Sequence, residues 1–321
     1  GNGKLDRKVE GLASSEELLR RGQDERGLTR PELAVLLSTA KLSLQDSIED
    51  GDLATDPSME GELLRAFPVA MQEKFPEAIA DHQLRKEIIA TKVANRMINR
   101  LGLIHPFELA EEEGCSLADI AVMFLAAERL FEMDKIWAAL DTAKIDEGTR
   151  LALFGQAAAA MGSQMADLLR IVPAGALPGD IVARLKPGVD RLAGNVDKLL
   201  SDVGKRNADQ IAAKLLEAGG DAKLIEPVVR LFKIDGVVGL ADLAERAGID
   251  ETKATKAFTH LGEELGLDWA QTVATRMSPS DPWERLLVNG LARDFQHMRL
   301  EFLSRGKGDM MDFVDGWLAG N

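Results

Sequence analysis

The sequence contains one cysteine, Cys115, and no tyrosine, and only 5% of its residues are aromatic. A single cysteine excludes both an intramolecular disulfide and a zinc site built from cysteines. No apolar stretch approaches the roughly 18 residues that a membrane span requires. The first residues, GNGKLDRKVEG, lack the apolar core of a signal peptide. From these absences we expect no intramolecular disulfide and no membrane span in this sequence.

Motifs that would indicate a catalytic or cofactor site are also absent. The four histidines are His82, His105, His260 and His297, and they form neither an HExxH motif nor a Cys/His cluster. The sequence contains no P-loop, GxGxxG or GxSxG motif. We therefore predict no catalytic, cofactor-binding or metal-binding residues in this chain.

The charge and composition favour a helical cytoplasmic protein. The formal net charge is -14 and the isoelectric point is about 4.9, which argues against nucleic acid or an anionic membrane as a partner. Alanine and leucine dominate, with long charged residues between them, a composition typical of helices. No segment shows the strict alternation of a half-buried strand. We predict an all-α, multi-helical fold.

Prolines and glycines that interrupt the predicted helices suggest the domain organisation. Residues 1–26 form a charged N-terminal extension, which we expect to lead from an upstream domain, and residues 27–172 form a first helical subdomain. The clearest linker is 173–179, PAGALPG, and residues 180–321 form a second helical subdomain. Within the second subdomain, we expect separate helices over Asp180–Leu185 and Val189–Val203. Both chain ends resemble cuts in a longer protein.

The strongest helix start lies at Gly27–Glu32. Thr29 is an N-cap candidate, Pro31 suits the first turn, and Glu32 lies three residues after Thr29 as in a capping box. We predict Arg30, Pro31 and Glu32 as structural residues at this start.

The segment His82–Gly102 is predicted to form an amphipathic helix that is buried over more than half of its girth. Four polar residues follow one another at helical spacing on the buried arc: Glu87, Thr91, Asn95 and Asn99. Because unpaired buried polar groups cost about 1–3 kcal/mol each, this ladder predicts partners. They would be neighbouring helices and the Arg30 or Arg100 guanidinium in a core network, or another domain or subunit.

A strip of basic residues occupies another side of the same predicted helix. On a helical wheel, the strip consists of Arg85, Lys92, Arg96 and Arg100. We expect it to face solvent, or to face an acidic surface of another domain.

A shift of about 134 residues brings the two halves of the sequence into register. LAEEEG at Leu109–Gly114 aligns with LAERAG at Leu243–Gly248, and Phe124 aligns with Phe258. The register predicts two helical subdomains that are related by an internal repeat. Only the first copy carries the polar ladder.

A pattern close to a helix-turn-helix occurs in the second copy. Leu240–Ala244 is followed by Gly248 and a second predicted helix from Asp250. DNA recognition needs basic residues on the second helix, where only Lys253, Lys256 and His260 are available. In an acidic chain we expect a structural use of this motif.

Two long motifs resemble the large bacterial NAD-specific glutamate dehydrogenases. They are GLTRPELAVLL at Gly27–Leu37 and HQLRKEIIATKVANRMINRLG at His82–Gly102. The resemblance implies the C-terminal helical part of a much longer enzyme, whose catalytic domain oxidises L-glutamate to 2-oxoglutarate and ammonia with NAD. It also implies that the full-length enzyme is a homo-oligomer.

The matched motifs are not the catalytic motifs of that family, so no catalytic residue is transferred to this chain. We expect a non-catalytic domain that serves assembly, support or regulation, with the catalytic domain of the same polypeptide as its partner. NAD belongs to the parent enzyme, and we expect no cofactor, small-molecule substrate, nucleic acid or membrane to bind this chain. The alternative is a free-standing helical scaffold or regulator with helix-turn-helix-like units.

Overall fold

The computed structural model describes residues 5–199, 202–277, 281–306 and 308–320. These residues form eighteen α-helices and two short 3-10 helices and include no β-strand, which confirms the all-α fold class. The chain divides into two compact units. The first comprises Gly1–Phe107 and Ser116–Ala121, and the second comprises Glu108–Cys115 and Val122–Asn321. The subdomains predicted on either side of 173–179, and the extension over 1–26, stay predictions.

The first eight helices run from the N-terminus to the boundary between the units. They are α1 (Ser15–Gln23), α2 (Arg30–Asp50), α3 (Glu60–Leu64), α4 (Val69–Lys74), α5 (Pro76–Ala80), α6 (Arg85–Leu101), α7 (His105–Glu113) and α8 (Leu117–Leu130). The 3-10 helices Leu53–Thr55 and Pro57–Met59 lie between α2 and α3. Pro76 separates α4 from α5, because proline cannot donate the backbone hydrogen bond that a continuous helix needs.

The core of the first unit forms where α2 packs against α6. Leu44 and Ile48 come from the C-terminal half of α2, and Ile89, Val93 and Met97 come from α6. All five side chains are buried, so apolar burial holds the two helices together. The N-terminal half of α2 contributes less, since its Leu33 and Leu37 are exposed.

The remaining ten helices belong to the second unit. They are α9 (Met133–Thr142), α10 (Glu147–Ile171), α11 (Pro178–Leu199), α12 (Asp202–Glu217), α13 (Ala222–Lys233), α14 (Val237–Ala247), α15 (Glu251–Glu264), α16 (Leu267–Arg276), α17 (Pro282–Ser304) and α18 (Met310–Gly320). Helix α13 packs on α10, and α14, α15, α17 and α18 share a core that contains Leu243, Leu261, Leu303 and Val314.

One predicted pair of helices is a single helix in the structure. The predictions placed separate helices over Asp180–Leu185 and Val189–Val203, but α11 is continuous over Pro178–Leu199 with Pro187 in its interior. Residues 200 and 201 of the second predicted helix lie outside the described residues, and its last two residues, 202 and 203, belong to α12. The prediction was wrong because a proline inside a helix can be tolerated when packing holds both sides, here through buried Leu185 and Val189.

Helix boundaries recur at the offset of the predicted repeat. Helix α15 begins and ends 134 residues after α8, and α16 begins 134 residues after α9. Residues with positive φ recur at the same offset, in the pairs Gly102 and Gly236, Gly114 and Gly248, and Glu132 and Gly266. Helices and turns therefore follow the predicted register, while the repeat itself stays a prediction.

Candidate functional site

The capping box predicted at the start of α2 is present. The Thr29 hydroxyl accepts from the Glu32 backbone N–H at 3.5 Å, and Glu32 Oε2 accepts from the Thr29 backbone N–H at 2.7 Å. Glu32 is buried and also accepts from Arg21 at 2.9 Å, so it joins α1 to α2. The hydrogen bonds from Thr29, with help from Arg21, lower the pKa of Glu32 to about 2. Arg30 and Pro31 are exposed.

The polar ladder predicted on α6 is less buried than its pattern indicates. Three of its residues, Glu87, Thr91 and Asn95, are half-buried, and Asn99 is exposed. The buried residues of α6 form a narrower strip: Ile89, Ala90, Val93, Ala94 and Met97. The prediction of a buried polar face is therefore wrong. The helical wheel of α6 assigned more than half of the helix circumference to the core, whereas the buried strip is narrower. A role for the ladder or Arg100 at an interface stays a prediction.

Three residues of the basic strip of α6 bind other parts of the first unit, so the prediction that they face solvent or another domain is wrong for Arg85, Lys92 and Arg96. Three of its residues donate hydrogen bonds: Arg85 Nε to Ala54 O at 2.9 Å, Lys92 Nζ to Arg65 O at 3.0 Å, and Arg96 Nη1 to both Glu62 carboxylate oxygens at 3.0 Å. Burial raises the pKa of Glu62, but Arg96 and Arg65 outweigh burial and lower it overall. The strip thus joins α6 to α3 and to the first 3-10 helix.

The helix-turn-helix-like pattern folds as α14, a left-handed turn at Gly248, and α15. Asp250 caps α15 by accepting from the backbone N–H of Thr252 at 2.9 Å. On α15, Lys253 Nζ lies 3.9 Å from Asp309, and His260 Nε2 lies 2.9 Å from Asp315. These basic side chains of the motif therefore pair with carboxylates of the same unit.

The second unit contains a cluster of carboxylates and arginines that the sequence did not reveal. We call it the acidic cluster, and its members are Glu112 and Glu113 of α7, Asp167 and Arg170 of α10, Asp235 between α13 and α14, and Arg293 of α17. Four parts of the second unit contribute charged groups to one place.

Two aspartates, Asp167 and Asp235, lie at the centre of the acidic cluster. Asp235 accepts hydrogen bonds from the Ser163 hydroxyl at 2.9 Å and from the Gln296 amide at 3.4 Å. Asp167 Oδ2 is buried and has no hydrogen-bond partner among the described residues. The Gly236 backbone N–H donates to this carboxylate, but a buried oxygen that is left without a donor still makes the ionised form costly.

The environment of the two aspartates favours their protonated forms. Burial, followed by the nearby charge of Asp235, raises the pKa of Asp167 to about 8. Arg293, Arg170 and the backbone N–H of Gly236 act in the opposite direction but do not compensate. Burial also raises the pKa of Asp235. The pair can therefore hold a proton near neutral pH.

Two arginines bind the glutamates of the cluster. Arg170 Nε lies 2.9 Å from Glu113 Oε2, and Arg293 forms a short ion pair with Glu112 and lies 3.8 Å from Glu113 Oε1. All four side chains are at most 16% exposed, so solvent screens these charges little. Burial raises the pKa of Glu112 even though Arg293 opposes it. The arrangement joins α7, α10 and α17 by buried charge pairs.

The turn at Gly236 sets the position of Asp235. Gly236 has a φ of +76°, and a Cβ atom there would lie 2.8 Å from Gln296 Nε2. We expect Gly236→Ala to lower the free energy of unfolding by about 1–3 kcal/mol, because alanine disfavours this backbone conformation. Urea denaturation monitored by circular dichroism measures the loss. Gly316→Ala, at an open site in α18, is the control and should be neutral or stabilising; an equal loss in both variants would contradict the prediction.

A cleft of about 410 Å³ in the second unit is lined by Arg170, Arg184, Arg246 and other residues. Each of these arginines already pairs with a carboxylate: Arg170 with Glu113, and both Arg184 and Arg246 with Asp242, at 2.5 and 2.6 Å. The cleft therefore offers an anion no guanidinium that lacks a partner.

Within residues 5–199, 202–277, 281–306 and 308–320, no group of three or more His, Cys, Asp or Glu side chains is arranged so that it could hold a metal ion. None of the helices in these ranges combines the length and apolarity needed to cross a membrane.

Comparison with known proteins identifies similar sequences over nearly the whole chain. The profile of the family described as "Glutamate dehydrogenase, C-terminal" matches residues 25–319. The NAD-specific glutamate dehydrogenase of Halomonas elongata is 26% identical over 99% of the chain and 20% of its own length. The proteins of that name from Pseudomonas aeruginosa and Mycobacterium tuberculosis are each 26% identical over 88% of the chain, and over 18% and 17% of their own lengths. The chain thus spans about a fifth of these relatives.

Proposed function

The chain belongs to the family of glutamate dehydrogenase C-terminal regions, and from this membership we propose that it is a non-catalytic helical part of a NAD-specific glutamate dehydrogenase. The observation that carries the proposal is the match over residues 25–319, in a chain that covers only 20% of its relative from Halomonas elongata. In this proposal, the remainder of the polypeptide oxidises L-glutamate to 2-oxoglutarate and ammonia with NAD. The chain supports, assembles or regulates that catalytic part.

The fold supports a role without chemistry of its own. Dinucleotide sites of the common type are built at the carboxyl ends of parallel β-strands, and the described residues contain no strand. The acidic cluster joins helices through buried ion pairs, as expected of a rigid supporting element. The catalytic part of the same polypeptide is the proposed partner, within a homo-oligomeric enzyme.

The proposal is tested by separating the parent enzyme into two polypeptides. We expect the part that precedes Gly1 to lose thermal stability, activity or native mass when it is produced alone, and to regain them when this chain is added. Glutamate oxidation, thermal unfolding and light scattering measure the three properties. A catalytic part with unchanged activity, stability and mass would contradict the proposal, as would a reading frame that begins within a few codons of Gly1.

A second measurement tests whether the chain lacks a cofactor site. In isothermal titration calorimetry, we expect NAD to give no micromolar binding to this chain. The full-length enzyme, titrated in the same buffer, is the positive control. Micromolar binding of NAD to the chain alone would overturn its proposed non-catalytic role.

A further inference from the structure

Large apolar side chains are exposed along α16 and α17, two helices of the second unit that pack against each other. We call the following six residues the α16–α17 surface: Trp269, Val273, Met277, Leu287, Leu291 and Met298. Trp269 is 70% exposed and Leu287 is 72% exposed. On α17 the three residues fall within an arc of about 40°, at 100° per residue, so they form one strip. A strip of this kind, on two neighbouring helices, indicates a contact surface.

In the predicted repeat register, α17 corresponds to α10, a helix that is covered by other helices of the second unit. At the offset of 134 residues, Leu287, Leu291 and Met298 of α17 correspond to residues of α10 that are fully buried: Leu153, Ala157 and Gln164. Helices α13 and α14 pack on α10, and the Gln164 amide donates to Ile234 O at 3.1 Å, at the end of α13. A strip that is covered on α10 is therefore open on α17.

Helix α16 differs from its counterpart α9 in residue type and not in exposure. At the same offset, Trp269 and Val273 correspond to Lys135 and Ala139 of α9, and both of these residues are exposed. A charged and a small residue suit an exposed position, whereas tryptophan leaves a large apolar area in water. Burying such area stabilises by about 25 cal/mol per Å². The change in residue type favours a partner that covers α16 as well as α17.

We propose that an amphipathic helix from the rest of the parent polypeptide packs on the α16–α17 surface, as α13 packs on α10. This inference rests on the proposed function and deepens it, because it names the surface through which the chain contacts the remainder of the enzyme. The docking helix carries an apolar stripe with lysine or arginine at its flanks. Glu284, Asp294 and Glu301 are exposed beside the strip of α17. Asp294 and Glu301 pair with Arg170 and Arg305 within the unit, but their side chains are 60% and 53% exposed and would also meet those basic flanks.

Helix α13 illustrates the chemistry of such a helix. It buries Ile225, Val228 and Val229, and it carries the basic residues Lys223 and Arg230 outside its buried set. A second copy of this chain fits the surface less well, since its net charge of -14 would bring acidic flanks together. The docking of α13 on α10, moreover, occurs within one polypeptide.

Photo-cross-linking in the full-length enzyme tests the proposal. Benzoylphenylalanine is incorporated at position 287, or at position 298 in a separate variant, and the illuminated enzyme is analysed by denaturing electrophoresis and peptide mass spectrometry. We expect cross-links within one polypeptide, to a single lysine- or arginine-flanked helix upstream of Gly1. Position 151 is the control, because Leu151 is 64% exposed on α10 but outside the surface. It should give no such product.

The possible outcomes separate this inference from the proposed function. Cross-links that double the subunit mass, cross-links to another protein, or no product at either position would overturn the inference. If the separated catalytic part is nevertheless restored by adding this chain, the proposed function stands and only the docking surface is wrong. A double variant, Leu287→Asp with Leu291→Asp, should abolish that restoration while the circular dichroism of the chain stays unchanged. Restoration by this variant would also overturn the inference.

Discussion

Asparagine in place of Asp167 is expected to make the folded protein increasingly more stable than the wild type as the pH rises from 5 to 8. The pKa of Asp167 is about 8 in the folded protein, against about 3.9 in an unfolded chain. The stability that the protonated side chain contributes is complete below pH 4 and is lost as the pH rises through 8. Asparagine is neutral and nearly isosteric, so it has no proton to lose.

The size of the stability advantage of Asp167→Asn depends on how many pH units lie between the unfolded and the folded pKa of Asp167. Each pH unit between the two pKa values changes the free energy of unfolding by about 1.4 kcal/mol. We therefore expect the advantage of Asp167→Asn to grow by about 2–4 kcal/mol between pH 5 and pH 8. Urea denaturation at pH 5, 6.5 and 8 measures this growth.

The control for this prediction is Asp294→Asn. Asp294 also pairs with Arg170, but its side chain is 60% exposed. Its substitution should change the free energy of unfolding only slightly, because an ion pair at an exposed side chain is screened by solvent. Parallel pH curves for Asp167→Asn and the wild type would show that Asp167 is ionised in the folded protein at neutral pH.

Leucine in place of Arg293 is expected to destabilise the protein by about 3–5 kcal/mol, the usual cost of leaving a buried charge without its partner. The Arg293 side chain is 13% exposed, and those of Glu112 and Glu113 are 8% exposed. Arg293 also opposes the rise in the pKa of Asp167 and Asp235. The substitution removes a positive charge that lies beside two largely buried glutamates and acts on both aspartates of the cluster.

The same substitution should be more damaging at high pH than at low pH. Burial already raises the pKa of Glu112, and losing Arg293 would raise it further. A group with a raised pKa loses stability as the pH rises, so the cost of Arg293→Leu should be larger at pH 8 than at pH 5. Urea denaturation at the two pH values measures the difference.

A matched control is Arg191→Leu. Arg191 pairs with Glu251, but its side chain is 61% exposed, so the pair is screened by solvent and only a small loss is expected. If the two leucine variants unfold at the same urea concentration, the buried pairs of the acidic cluster contribute no more than a surface pair does.

Features that depend on a few consecutive residues were predictable from the sequence. The start of α2 depends on Thr29, Pro31 and Glu32, and the predicted capping box is present. The break between α4 and α5 depends on Pro76 alone. These features are set by local hydrogen bonding and by the geometry of proline, which short sequence patterns record.

Features that depend on packing between distant segments were not predictable. The burial of Asn95 and Asn99 was overestimated, because the pattern of α6 does not show how narrow its contact with α2 is. Likewise, the wheel could not show that Arg96 meets Glu62, 34 residues earlier.

The acidic cluster was missed for the same physical reason. Arg293 and Glu112 are separated by 181 positions, and no local pattern connects them. A signal does exist in α10, where Gln164 and Asp167 interrupt an apolar run. That interruption indicates buried polar groups, but it does not identify Asp235 as the neighbour.

The raised pKa of Asp167 also changes the net charge of the chain when it folds. The formal net charge of -14 at pH 7 counts every carboxylate as ionised, yet with a pKa of about 8 Asp167 is mostly protonated in the folded protein at that pH. Folding at pH 7 therefore takes up close to one proton from the solution at this residue. Through this residue, refolding in a weakly buffered solution would make the solution more alkaline, and the folded chain carries almost one negative charge fewer than its sequence indicates.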